Sequence, residues 1–356
     1  MLHLKTRREG RQRLLSALLL LALLLTSLPV SVRAQGNEPL PEVAAIMEEM
    51  TPEERVGQLF LIHLQGAEIG EGTEIAAFLA DFPVGGVVLR QENDNFLDEP
   101  TQTEGVYQLI ADLQKETHAA AGARNEVYIP LFVGLTQEEQ QVLSALTPQP
   151  SPMALGATWE PTFAEENASV LGSELAAVGI NLYLGPSLGI LETPNTDNPG
   201  DMGKYAFGGN PYWVSEMGKA YIRGLHTGSE GKLLVVAKNF PGSGSADRSS
   251  QDEIVTIRKD LESLKNTDLL PFSAVTRFHS APESADALLV PHIRYEGFQG
   301  NISPTTRPIS LDEKSLNQVI STTPFVEWRT AGGLIVSDDL GSQAIRDFYA
   351  PGGQDF

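Results

Sequence analysis

The chain has 356 residues, 41% hydrophobic and 20% charged, with 33 Gly, 23 Pro and no Cys. That composition fits one barrel-sized folded domain or two smaller ones, and excludes collagen-like, coiled-coil and disordered chains. Without cysteine there is no disulfide scaffold, thiol nucleophile, iron–sulfur site or Cys-ligated zinc, and the formal charge of −21 opposes binding to nucleic acid or anionic lipid head groups.

The charge is unevenly placed. Lys5, Arg7, Arg8, Arg11, Arg13 and Arg33 against Glu9 give residues 1–34 a sum of +5, so residues 35–356 carry −26. A basic start, the apolar run Leu14 to Leu25 and the small-residue stretch Val32-Arg33-Ala34 read as a cleavable signal peptide. The run is shorter than the ~20 residues of a spanning helix, although an uncleaved anchor is the alternative. With no Cys after it, a lipoprotein anchor is excluded, and the expected location is secreted or in the cell envelope. Residues 35–49 read as a linker and the start of a first helix.

Within Met50-Thr51-Pro52-Glu53-Glu54, Thr51 is placed to cap a helix, with Pro52 at its first position and Glu54 three after the cap. Seven apolar runs then read as buried strands: Val56 to Ile62, Val84 to Leu89, Leu131 to Leu135, Ile180 to Leu184, Leu233 to Ala237, Ala287 to Val290 and Gly333 to Val336. They are continuous rather than alternating, as strands covered on both faces are. Helical patterns lie between them, over Phe163 to Val178, Tyr212 to His226 and Leu311 to Ile320. Alternation at about 40-residue spacing predicts a parallel α/β sheet, and a (β/α)8 barrel of the TIM type would use eight such strands. Seven are readable. The expectation is therefore a barrel domain over residues 50–356 lacking its eighth strand, with first and seventh strands left as edges through which chains associate.

In such barrels the site lies at the carboxyl ends of the strands. After the seventh run comes Ser337-Asp338-Asp339-Leu340, where a carboxylate serves as nucleophile, base, metal ligand or helix cap. After the fifth comes Lys238-Asn239-Phe240-Pro241-Gly242-Ser243-Gly244, a lysine for sugar hydroxyls or an anion beside a Gly-rich turn that lacks the Walker spacing. His292 follows the sixth run, suited to proton transfer or to a structural role. After the third run, Thr136-Gln137-Glu138-Glu139-Gln140 reads as the start of an exposed helix. The loop Gly185 to Pro211 has the length of a functional loop. No metal motif and no dinucleotide fingerprint is present, so no cofactor is expected.

Several segments in order resemble the N-terminal barrel of glycoside hydrolase family 3, in its β-N-acetylhexosaminidase branch. They are Glu54-Arg55-Val56-Gly57-Gln58-Leu59-Phe60, Val84-Gly85-Gly86-Val87, Met153 to Thr158, Gly172 to Asn181, Phe207 to Pro211, Lys238 to Gly242 and Ser337 to Leu340. The resemblance implies a (β/α)8 barrel and retaining hydrolysis of an exo-terminal β-linked sugar through a covalent glycosyl–enzyme intermediate. The nucleophile's position falls on Asp338. The branch's acid/base histidine falls on Ser249, and the aspartate two residues before it on Asp247. Lys238 keeps its family identity. Asn239 and Ser243 replace histidines, Thr136 replaces a sugar-binding aspartate, Tyr205 an arginine and Gly189 another aspartate. The expected catalytic residues are Asp338 and Asp247, with Asp252 and Glu253 as further substitutes for the acid, and the expected sugar contacts are Lys238, Asn239 and His292. The partner expected is a carbohydrate, with no nucleic acid and no lipid beyond the N-terminal anchor. The alternative is a carbohydrate-binding or scaffold relative that has lost the chemistry.

Overall fold

Thr51 Oγ1 accepts a hydrogen bond from the Glu54 amide at 3.2 Å, and Glu54 Oε2 accepts one from the Thr51 amide at 2.6 Å. This reciprocal box, with Pro52 at the first position, starts the helix Pro52–Gly57. The computed structural model describes residues 40–349 except 71, 99, 139–141, 195–196, 198–201, 245 and 247–252. The signal-peptide reading, Asp247, Ser249 and Asp252 lie outside the described residues.

The helix from Thr51 takes up the first part of the run Val56 to Ile62, and strand β1 is only Leu61–His63. The expected strand was too long because a well-capped helix propagates through Val56 despite its apolar neighbours. The other strands are β2 (Gly86–Val88), β3 (Phe132–Leu135), β4 (Leu182–Ser187), β5 (Leu234–Lys238), β6 (Val255–Ile257), β7 (Ala287–Val290), β8 (Ile293–Tyr295) and β9 (Leu334–Ser337). Seven of them form one sheet, ordered β1-β2-β3-β4-β5-β7-β9. Every pairing in it is parallel. All seven apolar runs contribute a strand to it. β6 and β8 make a separate parallel pair that the sequence reading did not foresee. Among the described residues no pairing joins β9 to β1.

Alternate residues of the strands face two cores. Val87, Val133, Tyr183, Val235 and Leu288 belong to the outer core between sheet and helices, and all are 0% exposed. Leu182, Val236, Ala287 and Leu289 form an inner cluster, flanked by the half-buried Leu61, Leu184, Leu234 and Val336. The continuous apolar runs of the inner strands follow from this double cover, whereas the edge strands β1 and β9 are half-buried to exposed.

The helices Pro161–Ala177 and Pro211–Gly228 match the expected spans within two residues and pack closely against each other. A side chain at Gly224 would place its Cβ 2.2 Å from the Glu165 carbonyl oxygen, so only glycine permits this approach. Each helix precedes a strand of the sheet and runs back against it, which puts its first turn at the carboxyl end of the strands. At the opposite end, His226 in the last turn of the second helix bonds the Pro282 carbonyl through Nδ1 at 2.7 Å and Asp286 Oδ2 through Nε2 at 2.9 Å. Asp286 Oδ2 also accepts the Val235 amide at 2.8 Å, tying the base of β5 to the residue before β7.

Candidate functional site

The carboxyl ends of β3, β4 and β5 meet in a buried polar knot. Lys238 Nζ stands 3.1 Å from Glu138 Oε2 and donates to Thr136 Oγ1 at 3.1 Å. Glu138 accepts the Ser187 amide on Oε1 at 2.6 Å and the Ser187 hydroxyl on Oε2 at 3.3 Å. The lysine and glutamate side chains are only 9% and 1% exposed. Glu138 is thus no exposed helix start: burial needs a partner for a carboxylate, and Lys238 supplies it. Gln137 is buried as well, its amide donating to the Leu143 carbonyl at 3.2 Å and its carbonyl accepting the Leu143 amide at 3.2 Å.

Beyond Lys238 the chain turns sharply. Asn239 is half-buried and its Nδ2 donates to Ser243 Oγ at 3.4 Å. A Cβ on Gly244 would lie 1.9 Å from the Ile190 carbonyl oxygen, and Tyr295 donates its hydroxyl to the Gly242 carbonyl at 2.5 Å. The glycines therefore serve close packing of this turn against the loop after β4, which favours the turn over a phosphate cradle. A side chain on Gly189, in that loop, would meet Met202 Sδ at 2.3 Å.

Asp338 directly follows β9, and its amide donates to the Val290 carbonyl at 3.0 Å, extending the ladder from β7. It is half-buried, and its Oδ1 accepts the Asp339 amide at 2.9 Å. In register, Lys238 is level with Leu289 and Val336, two residues before Asp338. Two strand spacings put their backbones ~10 Å apart across the mouth.

Asp339 does more than cap. Its Oδ2 pairs with Arg90 at 3.2 Å and stands 3.6 Å from His63 Nε2, and its Oδ1 accepts the Gly341 amide at 2.8 Å. Arg90 and His63 belong to the ends of β2 and β1, at the far edge of the sheet from β9. The sheet must therefore curl until its two edges approach at the mouth, and side chains bridge them there. Asn95 steadies the Arg90 side, accepting the Arg90 amide at 2.8 Å and donating to the carbonyls of Leu64 at 3.1 Å and Gly66 at 2.8 Å. Burial lowers the His63 pKa, and the Arg90 guanidinium lowers it further against the pull of Asp339.

His292 is fully buried. Its Nε2 lies 3.0 Å from the Asp339 carbonyl oxygen and its Nδ1 2.8 Å from Ser310 Oγ. A carbonyl only accepts, so Nε2 carries a proton, while Nδ1 pairs with the serine hydroxyl. Both nitrogens are engaged by the protein, which makes His292 a support for the Asp338–Asp339 backbone rather than the sugar contact expected of it. Glu253 lies exposed before β6, and Tyr205 sits in the short helix Gly203–Tyr205 with Lys204 Nζ 5.3 Å from its ring centroid. Among the described residues no group of three or more His, Asp or Glu is disposed to hold a metal. The sequence reading missed His63, Arg90 and the Lys238–Glu138 pair. Examining the residue that ends or follows every apolar run would have found the first two.

The model of the glycosyl hydrolase family 3 N-terminal domain matches residues 51–353. A β-hexosaminidase A of Pseudoalteromonas piscicida is 24% identical over 291 residues, covering 78% of this chain and 44% of that protein. A β-hexosaminidase of Xylella fastidiosa (strain M12) is 25% identical over 293 residues, covering 77% of this chain and 74% of its own length. The structure of a glycoside hydrolase family 3 β-N-acetylglucosaminidase from Paenibacillus sp. str. FPU-7 superposes with a TM-score of 0.69 at 26% identity, over 84% of this chain and 51% of that one. The chain thus spans about half the length of the Pseudoalteromonas and Paenibacillus proteins.

Proposed function

The chain belongs to glycoside hydrolase family 3, and on that premise we propose that it hydrolyses β-linked N-acetylhexosaminides with retention of configuration. The observation that carries the reading is Asp338, a half-buried carboxylate directly after β9, in the stretch Ser337 to Leu340 that resembles the family's nucleophile motif. In the proposed reaction a carboxylate oxygen of Asp338 bonds to the anomeric carbon as the bond to the leaving oxygen breaks, and that oxygen takes a proton. Water then attacks the same carbon, releasing the sugar and regenerating the carboxylate. His63, Arg90 and His292 hold the Asp338–Asp339 segment, Lys238 and Asn239 contact the sugar, and Asp247 supplies the proton in place of the histidine that Ser249 replaces. An aryl leaving group, already stable as an anion, needs little help from that acid.

The names of the relatives, β-hexosaminidase and β-N-acetylglucosaminidase, support the choice of sugar. The basic start and apolar run before residue 34 support export, which fractionation of expressing cells tests. The decisive experiment is hydrolysis of an aryl β-N-acetylglucosaminide followed by proton NMR. Asp338→Asn should bring the rate to background, and the first sugar released should be the β anomer. Unchanged hydrolysis in Asp338→Asn, or an α first product, overturns the assignment.

A second reading, a carbohydrate-binding relative without turnover, is favoured by one observation: Lys238 meets Thr136 where the family pattern has an aspartate. Calorimetric binding of N-acetylglucosamine oligosaccharides with no hydrolysis of any aryl glycoside would select it.

A further inference from the structure

We propose that Trp159, Tyr212 and Trp213 form a second carbohydrate site, an aromatic surface on the mouth side of the barrel that takes the rings of a polymeric β-linked glycan. The proposal rests on the carbohydrate reading above and adds a site outside the strand ends. Trp159 directly precedes Glu160, which caps the helix Pro161–Ala177, and Tyr212 and Trp213 lie in the first turn of the helix Pro211–Gly228. Because those first turns are at the carboxyl end of the strands, the cluster shares a face with Lys238 and Asp338.

The three rings are held together. Trp159 and Trp213 centroids are 5.1 Å apart at 87°, and Tyr212 and Trp213 centroids 5.2 Å apart at 78°, edge to face in both cases. Yet Trp159 is 57% and Tyr212 62% exposed, so these rings are presented to solvent rather than buried. Trp159 is also kept at a φ of +57°, a conformation unfavourable for a bulky side chain. Stability alone would place a glycine there. A strained, exposed tryptophan braced edge to face by a second tryptophan is what a ligand platform requires.

The chemistry selects a neutral sugar chain. The axial C–H groups of a β-linked pyranose make an apolar face with partly positive hydrogens, which suits the negative face of an aromatic ring. The indole N–H and phenol O–H at the rims bond to hydroxyls. Exposed Glu160 beside Trp159 opposes an anionic ligand.

Retention of the full chain by insoluble chitin is the test, with hydrolysis of a soluble aryl β-N-acetylglucosaminide measured in parallel. Wild type should be held, and the double variant Trp159→Gly with Tyr212→Ala should bind roughly tenfold more weakly, the scale of one or two lost ring contacts. Its kcat/KM on the aryl glycoside should be unchanged. Trp159→Gly alone relieves the φ and preserves folding, and Trp159→Phe should keep most of the retention. Wild-type-like retention by the double variant overturns the site. Aryl hydrolysis by wild type without chitin retention overturns the site alone, whereas a chain that neither cleaves nor binds N-acetylglucosamine oligosaccharides overturns the carbohydrate reading with it.

Discussion

Two histidine–aspartate pairs stand at opposite ends of the strands and titrate in opposite directions. At the base, His226 faces the Asp286 carboxylate at 2.9 Å and the Pro282 carbonyl at 2.7 Å, two acceptors that only an imidazolium satisfies together. Burial, which lowers the pKa of His226, is outweighed by these bonds, and the net shift is upward. At the mouth, His63 Nε2 is 3.6 Å from Asp339, whose same oxygen is engaged by Arg90 at 3.2 Å. There burial and the guanidinium lower the pKa of His63. His63 too has a backbone acceptor, the Val88 carbonyl 3.3 Å from Nδ1, so the comparison teaches that the closeness of the carboxylate and the neighbouring cation, not the residue pair, set the direction of the shift.

A third pair sets the scale for both. Lys238 and Glu138 are more deeply buried than either histidine pair, and Glu138→Gln removes the carboxylate 3.1 Å from the ammonium. The expected loss is about 3–5 kcal/mol in urea denaturation, the largest of any single change named here. The double replacement Lys238→Met with Glu138→Leu should recover most of it. Asp286→Asn should follow, at about 1–2 kcal/mol, because it weakens a charged bond to His226 and the tie to Val235. Asp339→Asn, in a half-exposed bridge, should cost under about 1 kcal/mol and lose even that in high salt. Equal losses for Asp286→Asn and Asp339→Asn would break the contrast.

The opposed titrations give opposed pH profiles. His226 has a folded pKa above its ordinary 6.5, so its contribution is complete below 6.5 and lost as pH rises through the folded value. His63 has a folded pKa below 6.5, so its contribution is complete above 6.5 and lost as pH falls through the folded value. The destabilisation by His226→Gln should therefore shrink with rising pH, and that by His63→Gln with falling pH, in denaturation between about pH 5 and 8. The smallest effect is electrostatic alone. Arg90→Met should raise the NMR titration midpoint of His63 and leave that of His226 in place.

Much of the fold, unlike these pairs, was legible in the sequence for a simple reason. A strand buried on both faces reads as a continuous apolar run, and all seven apolar runs contribute a strand to one sheet, the two at its edges less deeply buried. The failures are local. Val56 reads as strand material, but the box at Thr51 carries the helix to Gly57. β6 and β8 have three residues each, and one of the six is Arg294, so no apolar run marks them. At the site, Asp338 was visible as a strand-end carboxylate in a motif. The Lys238–Glu138 pair was not, because it joins residues 100 positions apart and sequence spacing carries no sign of it. His292 shows the limit of residue type: the ring suits proton transfer, and the fold uses it to hold a backbone.

The close seating of the helices Pro161–Ala177 and Pro211–Gly228, with Gly224 admitting the Glu165 carbonyl, bears on the order in which the chain acquires structure. These helices alternate with β4 and β5, so all four elements of this unit lie within positions 161–238. Its loop-closure entropy is modest, whereas the bridge from Asp339 to His63 and Arg90 must bring together nearly the whole chain. On a ribosome the first unit is complete while β9 is still unsynthesised. The mouth, and with it Asp338, is then among the last features to take shape.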